Sequence, residues 1–194
     1  METSKKLAFL LFAIFLVSAG YSFFARVQPY GDAQAYDRIG WNLARGLGYI
    51  EHEKNAGNVS ADDAIFRVGP AYEFFLAGIY RAFGHHREII WIAHALLRAL
   101  TAFLLFKIAL LLFANHPKKE WIGLVAATIF GFFPDLLLVN AFLLYETLLL
   151  FCGVAAVYFS LKSLLPPDIQ CSPKTLNVGL ASLFLALAIL TRPS

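Results

Sequence analysis

Residues 89–113, IIWIAHALLRALTAFLLFKIALLLF, form one long apolar run whose only ionisable side chains are His94, Arg98 and Lys107. A transmembrane helix needs about 20 mainly apolar residues to cross about 30 Å of hydrocarbon, so this run reads as a span. Upstream lies a polar, charge-rich stretch, 28–88, and before it a second apolar run, 7–25. Downstream come 121–139, 141–165 and a shorter run, 176–190. The expected fold is an all-α, polytopic transmembrane helix bundle of about five spans. It forms a single membrane domain over 1–194, with a large outer loop at 28–88 carrying surface-lying helices between spans one and two.

Composition points the same way. The chain is 59% hydrophobic and 15% charged, with a mean hydropathy of +0.66, too apolar for an ordinary soluble domain. Its formal net charge of +3 is spread rather than clustered, which argues against nucleic acid as a partner and for the lipid bilayer. Cys152 and Cys171 show no metal-ligand spacing.

The first run admits two readings. Lys5 and Lys6 before an apolar core, with Ser18-Ala19-Gly20 behind it, resemble a signal peptide. The run continues through Tyr21, Phe23 and Phe24, however, and that length favours an uncleaved span. If every run crosses once, Lys5, Lys6, Lys118, Lys119, Lys162 and Lys174 fall on one side, while 135–140, read as a turn between spans three and four, has no basic residue. The positive-inside rule then gives a multi-pass protein of the cell (inner) membrane with a cytoplasmic N-terminus and the long loop outside.

Two helices are expected in that loop. From Asp32, Tyr36, Ile39, Leu43 and Leu47 recur at helical spacing until Gly46 and Gly48, an amphipathic pattern suited to the membrane surface. From Pro70 to Gly84 a second helix is too short to span, and it carries Glu73 and Arg81 among Phe and Tyr residues. The segment 51–65 between them is polar and reads as a loop; Asn58-Val59-Ser60 fits the glycosylation pattern, a tripeptide common by chance.

Several ionisable residues invite a functional reading beside a structural one. Asp32 stands where an N-cap belongs, and equally where a carboxylate meets a reactive group at headgroup level. Arg67 precedes the Pro70 helix, where an anion meets a guanidinium and free N–H groups together; the plainer role is contact with lipid headgroups. Glu146 lies near the outer end of a span, a costly place for an acid and so a candidate site. Arg98 and His94 are expected to face the bundle interior. His85-His86 beside Arg87 has metal-ligand chemistry but is more often polar surface.

The order Asp32-x-x-x-Tyr36, Asn42-Leu43-x-x-Gly46-x-Gly48-Tyr49, Arg67-x-x-Pro70-x-Tyr72 and Phe75-Leu76-Ala77 resembles the GT-C superfamily of polytopic glycosyltransferases. Among its members the chain is most similar to bacterial proteins of the protein O-mannosyltransferase and aminoarabinose transferase type. Pro134 before an outer turn, Glu146-Thr147-Leu148 and Thr191-Arg192-Pro193 add to the pattern.

The resemblance implies an enzyme that moves a sugar from a polyprenyl-phosphate carrier to an acceptor lipid, glycan or protein on the outer face, by direct displacement with inversion. It implies catalytic roles for Asp32 and Glu146, and binding of the phosphate-linked donor by Arg67 with Tyr36 and Tyr72. Ala33 stands where relatives often carry a second acid, so use of a divalent metal is left open and no metal ligand is named. Glu73 replaces a frequent Pro. Family members are much longer, so the chain reads as an N-terminal portion truncated at the C-terminus. The rival readings are a transporter or flippase with Glu146, Arg98 and His94 along a path, and a non-catalytic membrane scaffold.

Overall fold

In the computed structural model, which describes residues 2–53, 69–165 and 173–192, the apolar run at 89–113 becomes helix α4 (Arg87–Leu112), the axis of the bundle. Around it lie α1 (Glu2–Ala25), α5 (Lys119–Phe132), α6 (Pro134–Ala141) and α7 (Glu146–Ser163), with α8 (Lys174–Thr191) paired to α7. Helices α2 (Asp32–Ala44) and α3 (Pro70–Phe83) pack on each other at one end. No strand occurs among the described residues.

Helices α1, α4, α7 and α8 are each long and apolar enough to cross a membrane, and the pair α5–α6 makes a fifth if counted as one bent span. Large apolar side chains such as Phe9, Phe24 and Ile129 are exposed on the outside of the bundle, as lipid-facing positions require.

The two ends of the bundle differ. At one, the Thr3 hydroxyl bonds the Glu120 carboxylate and the Lys6 ammonium lies 5.7 Å from the Trp121 ring centroid, so the starts of α1 and α5 meet there. At the other, Asn140 Nδ2 donates to Ser22 Oγ at 3.0 Å and the Trp91 indole donates to the Ala141 carbonyl at 3.1 Å. The loop helices sit at this second end, opposite the lysine pairs.

Three expectations need correction. The third span, 121–139, is not one straight helix: α5 ends at Phe132, and α6 starts at Pro134 with a bend of 50°. The cause is local, since Pro134 has no N–H to give and holds Phe133 extended at φ −64°, ψ 121°. Consequently 135–140 is helix rather than turn, with Pro134 in the first turn that suits it. The fourth span begins later than 141, because 142–145 forms the reversal and Glu146 opens α7.

A break inside a bundle leaves carbonyls without partners, and Arg98 supplies them. Its guanidinium donates to the carbonyls of Gly131 at 3.1 Å, Phe130 at 3.3 Å and Phe133 at 3.1 Å. This buried cation therefore works as the C-cap of α5. Gly131 also lets α5 approach α1, since a Cβ there would lie 2.3 Å from Ile14 Cδ1.

Candidate functional site

Helix α2 buries Ala33, Ala35, Tyr36, Ile39 and Gly40 and leaves Asp32, Gln34 and Arg38 exposed, so its amphipathic pattern is used against protein. The partner is α3. A Cβ on Gly40 would come within 2.8 Å of Leu76 Cβ, which makes this the point of closest approach. Tyr72, Leu76 and Tyr80 of α3, Ile90 and Trp91 of α4, and Leu143 of the reversal before α7 complete the same core.

Tyr36 is at its centre, 2% exposed. Its ring meets Tyr72 edge-on at 5.5 Å and Tyr145 edge-on at 6.1 Å. Burial drives its hydroxyl pKa well above the ordinary phenol value, and the negative field of Asp32, Glu73, Tyr145 and Glu146 adds to the rise. Tyr72, fully buried, is raised for the same reasons, with Tyr80, Glu146, Glu73 and Asp37 contributing. Both phenols thus stay protonated, and the Tyr72 hydroxyl is taken up by His94 Nε2. Of the residues singled out in the sequence, Asp32, Tyr36, Tyr72 and Glu146 come to one aromatic cluster; Arg67 lies outside the described residues.

Asp32 is not the N-cap. Gly31 takes that position at φ 56°, a conformation that favours glycine, and Asp32 is the first helical residue with an exposed side chain. No side-chain cap bond is made there, so the carboxylate interacts with the helix end only through the dipole. Glu146 holds the equivalent place on α7, directly after Tyr145. One of its carboxyl oxygens, Oε2, is buried without a hydrogen-bond partner.

Reading the sequence missed the burial of Glu73. It is 0% exposed, and neither carboxyl oxygen makes a hydrogen bond of normal geometry. Burial pushes its pKa up to about 7 from 4.5, although its own backbone N–H and, less, the nearby Tyr49 phenol favour the charged form. The signal available was an acid on the apolar side of a short helix, one residue after Tyr72, which composition alone assigns to a surface.

Asn42 explains part of the motif that follows α2. Its amide donates to the carbonyls of Ile50 at 2.9 Å and Glu51 at 3.2 Å, and its oxygen accepts from Arg45 at 2.7 Å. With Gly46 at φ 79° and Gly48 at φ 94°, the Asn-x-x-x-Gly-x-Gly spacing is what folds the chain back behind α2.

At the start of α3, Gly69 lies against the end of α8: a Cβ would fall 2.5 Å from the Leu190 carbonyl oxygen and 2.7 Å from the Thr191 carbonyl carbon. Arg192 therefore leaves α8 beside the first turn of α3. Below the cluster, with the His94 Nδ1 proton toward the Asn140 carbonyl at 3.4 Å, Nε2 accepts the Tyr72 hydroxyl at 3.1 Å. His94 and Arg98 do face the interior, and both are occupied by structural hydrogen bonds.

Among the described residues no three His, Cys, Asp or Glu side chains converge as a metal site would require. His85, paired in sequence with His86, bonds Asp37 instead. What the cluster offers is an exposed carboxylate, a half-buried one with a free oxygen, and protonated phenols between them. The exposed carboxylate can accept a proton from a hydroxyl group. Comparison with protein-family models, curated proteins and solved structures finds no match to this chain.

Proposed function

We propose that this chain is a membrane glycosyltransferase, or the N-terminal part of one, that moves a sugar from a polyprenyl-phosphate carrier to an acceptor lipid, glycan or protein on the outer face of the cell membrane. The observation that carries the reading is that Asp32 and Glu146 both lie close enough to the Tyr36 hydroxyl to raise its pKa. They open two separate helices, yet both act on the same tyrosine cluster at the end of the bundle away from the lysines. In this reading Asp32, the exposed acid, takes the acceptor proton, and the Glu146 carboxylate accepts a hydrogen bond from a sugar hydroxyl. Tyr36 and Tyr72, both buried, form the wall behind the sugar's position. Arg67 and Arg192, one before α3 and one beside it, stabilise the departing phosphate.

The transporter alternative draws on the same polar residues. Arg98 is spent on three carbonyls and His94 on two partners, which leaves neither free along a path.

The test is reconstitution of the chain in liposomes with a radiolabelled polyprenyl-phosphate sugar and an acceptor-containing membrane-lipid extract added from the loop side. Time-dependent release of polyprenyl phosphate that Asp32→Asn abolishes is the expected result; release unchanged by Asp32→Asn and by Glu146→Gln overturns it. The orientation is tested apart from this, by impermeant thiol labelling of single cysteines in 51–65 and at Lys118. Labelling of the first set from outside is expected, and labelling of Lys118→Cys alone reverses the topology.

A further inference from the structure

A second polar region lies where α1 ends and α4 begins, and the chemistry proposed above makes no use of it. Arg26 follows the last residue of α1, and Arg87 is the first residue of α4. Their side chains, with Gln28 and Glu88, line one cleft of about 260 Å³ whose apolar wall is Phe23 and Trp91. Those two rings meet edge-on at 5.5 Å, and the Trp91 indole is fixed by its bond to Ala141. A basic rim above an aromatic floor, at the level where two spans leave the hydrocarbon, matches the depth of lipid phosphates.

The arginines are held in place but not neutralised. Among the described residues neither is in an ion pair. Arg87 Nη1 donates to Gln28 Oε1 at 2.7 Å and Arg26 Nε to the Phe23 carbonyl at 3.3 Å, which leaves the other N–H groups of each guanidinium for a ligand.

Arg26 is also the described non-glycine residue with positive φ, 43°, and its N–H closes α1 on the Ser22 carbonyl at 3.0 Å. Glycine fits that left-handed cap at less cost, so a long cationic side chain there is paid for in strain. Arg87 and Gln28 line a neighbouring cleft of about 380 Å³ as well, shared with Gln34, Arg38 and His85. The His85 ring in it is fixed, flat against Trp41 at 4.9 Å and donating from Nε2 to Asp37 at 2.9 Å. Asp37, which also accepts from Tyr80 at 2.5 Å, is thereby engaged, and the second cleft has room for the polar head beyond a phosphate.

We propose that Arg26 and Arg87 form a binding site for the phosphate of an anionic membrane lipid, which seats its headgroup over the Phe23–Trp91 pair. The site is independent of the transferase reading and holds equally for a transporter.

The probe is phosphatidylglycerol against phosphatidylcholine of identical acyl chains, scored by native mass spectrometry of the purified full chain. The wild type retains the anionic lipid in preference by roughly tenfold, the scale of two charge-assisted contacts at a membrane surface. Arg26→Gly removes the guanidinium while suiting the backbone, so it folds at least as well, and with Arg87→Gln it brings the ratio to near one. A preference left intact in that double variant, with thermal stability unchanged, overturns the site. Soluble sn-glycerol 1-phosphate separates the two sources of phosphate: failure to displace the lipid at millimolar concentration supports a bilayer lipid as ligand, and displacement overturns that assignment.

Discussion

Arg98 and His94 in the middle of the bundle and Glu73 and Glu146 at its loop end differ in how their buried polar atoms are satisfied. Arg98 and His94 lie deep among apolar helices, and each has partners: three carbonyls for the first, a phenol and a carbonyl for the second. Glu73 and Glu146 lie among tyrosines at the loop end, with three carboxyl oxygens buried and unpartnered. A buried polar atom left unpaired costs about 1–3 kcal/mol, so a fold keeps one only against a return elsewhere. The first pair holds the bundle together; at the second a ligand has something to offer.

The largest expected effect tests the satisfied half. Arg98→Leu leaves three carbonyls at the α5–α6 break without donors in a setting with no water to replace them. The expected outcome is a loss of stability of about 4 kcal/mol or more, read as a lower thermal midpoint in detergent, with Arg98→Lys intermediate because a single ammonium cannot reach all three. An Arg98→Leu chain as stable as the wild type breaks the comparison and returns Arg98 to the pathway role of the transporter reading.

Next comes Glu73, the unsatisfied acid. Its pKa is raised from 4.5 to about 7, so the folded chain holds this proton more tightly than the unfolded chain. The resulting stability is fully present below pH 4.5 and is lost as pH rises through 7, a total of about 3 kcal/mol. Glu73→Gln should remove that dependence and exceed the wild type in thermal midpoint at pH 8, while nearly matching it at pH 4. Parallel curves for the two proteins across this range would mean that Glu73 has a partner in solution and belongs with the satisfied set.

Much of this contrast is legible in sequence, and the remainder has identifiable causes. The places of the long apolar helices follow from hydropathy, except at the break after Phe132 and the reversal at 142–145, since crossing hydrocarbon demands length and apolarity. That Arg98 and His94 face inward follows from the cost of exposing them to lipid. What Arg98 binds does not follow, because its acceptors exist only through the break at Phe133, and Pro134 reads as readily as the start of a turn. Asp32, Tyr36, Tyr72 and Glu146 stand out one at a time, by residue type and place. Their convergence depends on α2 docking on α3 through Gly40 and on the reversal at 142–145, contacts distant in the chain. Glu73 is hidden because composition reports how polar a helix is and not which side its neighbour covers.

Asp32 separates chemistry from architecture at the loop end. Asp32→Asn keeps the side-chain shape at the first position of α2 and loses only the favourable charge at the helix dipole, worth about 0.3–1 kcal/mol. Membrane insertion and thermal midpoint should therefore be nearly those of the wild type, while sugar transfer falls roughly 100-fold or more, as expected for loss of a general base. Equal falls in stability and rate would assign Asp32 to the fold.

The smallest expected effect is also the most discriminating, because Tyr36 sits on the border between packing and site. Tyr36→Phe keeps the ring that meets Tyr72 and Tyr145 edge-on, so the aromatic core should lose less than about 1 kcal/mol. It removes the hydroxyl, which is held protonated by burial and by the carboxylates around it. If that O–H donates to the sugar during binding, KM for the polyprenyl-phosphate sugar should rise by about tenfold with kcat little changed, the pattern of an interaction equally strong in substrate and transition state. A fall in kcat at constant KM would put the hydroxyl in the chemical step beside Asp32. With both constants unchanged, Tyr36 would be a core residue only, and the site would contract to the two carboxylates and Tyr72.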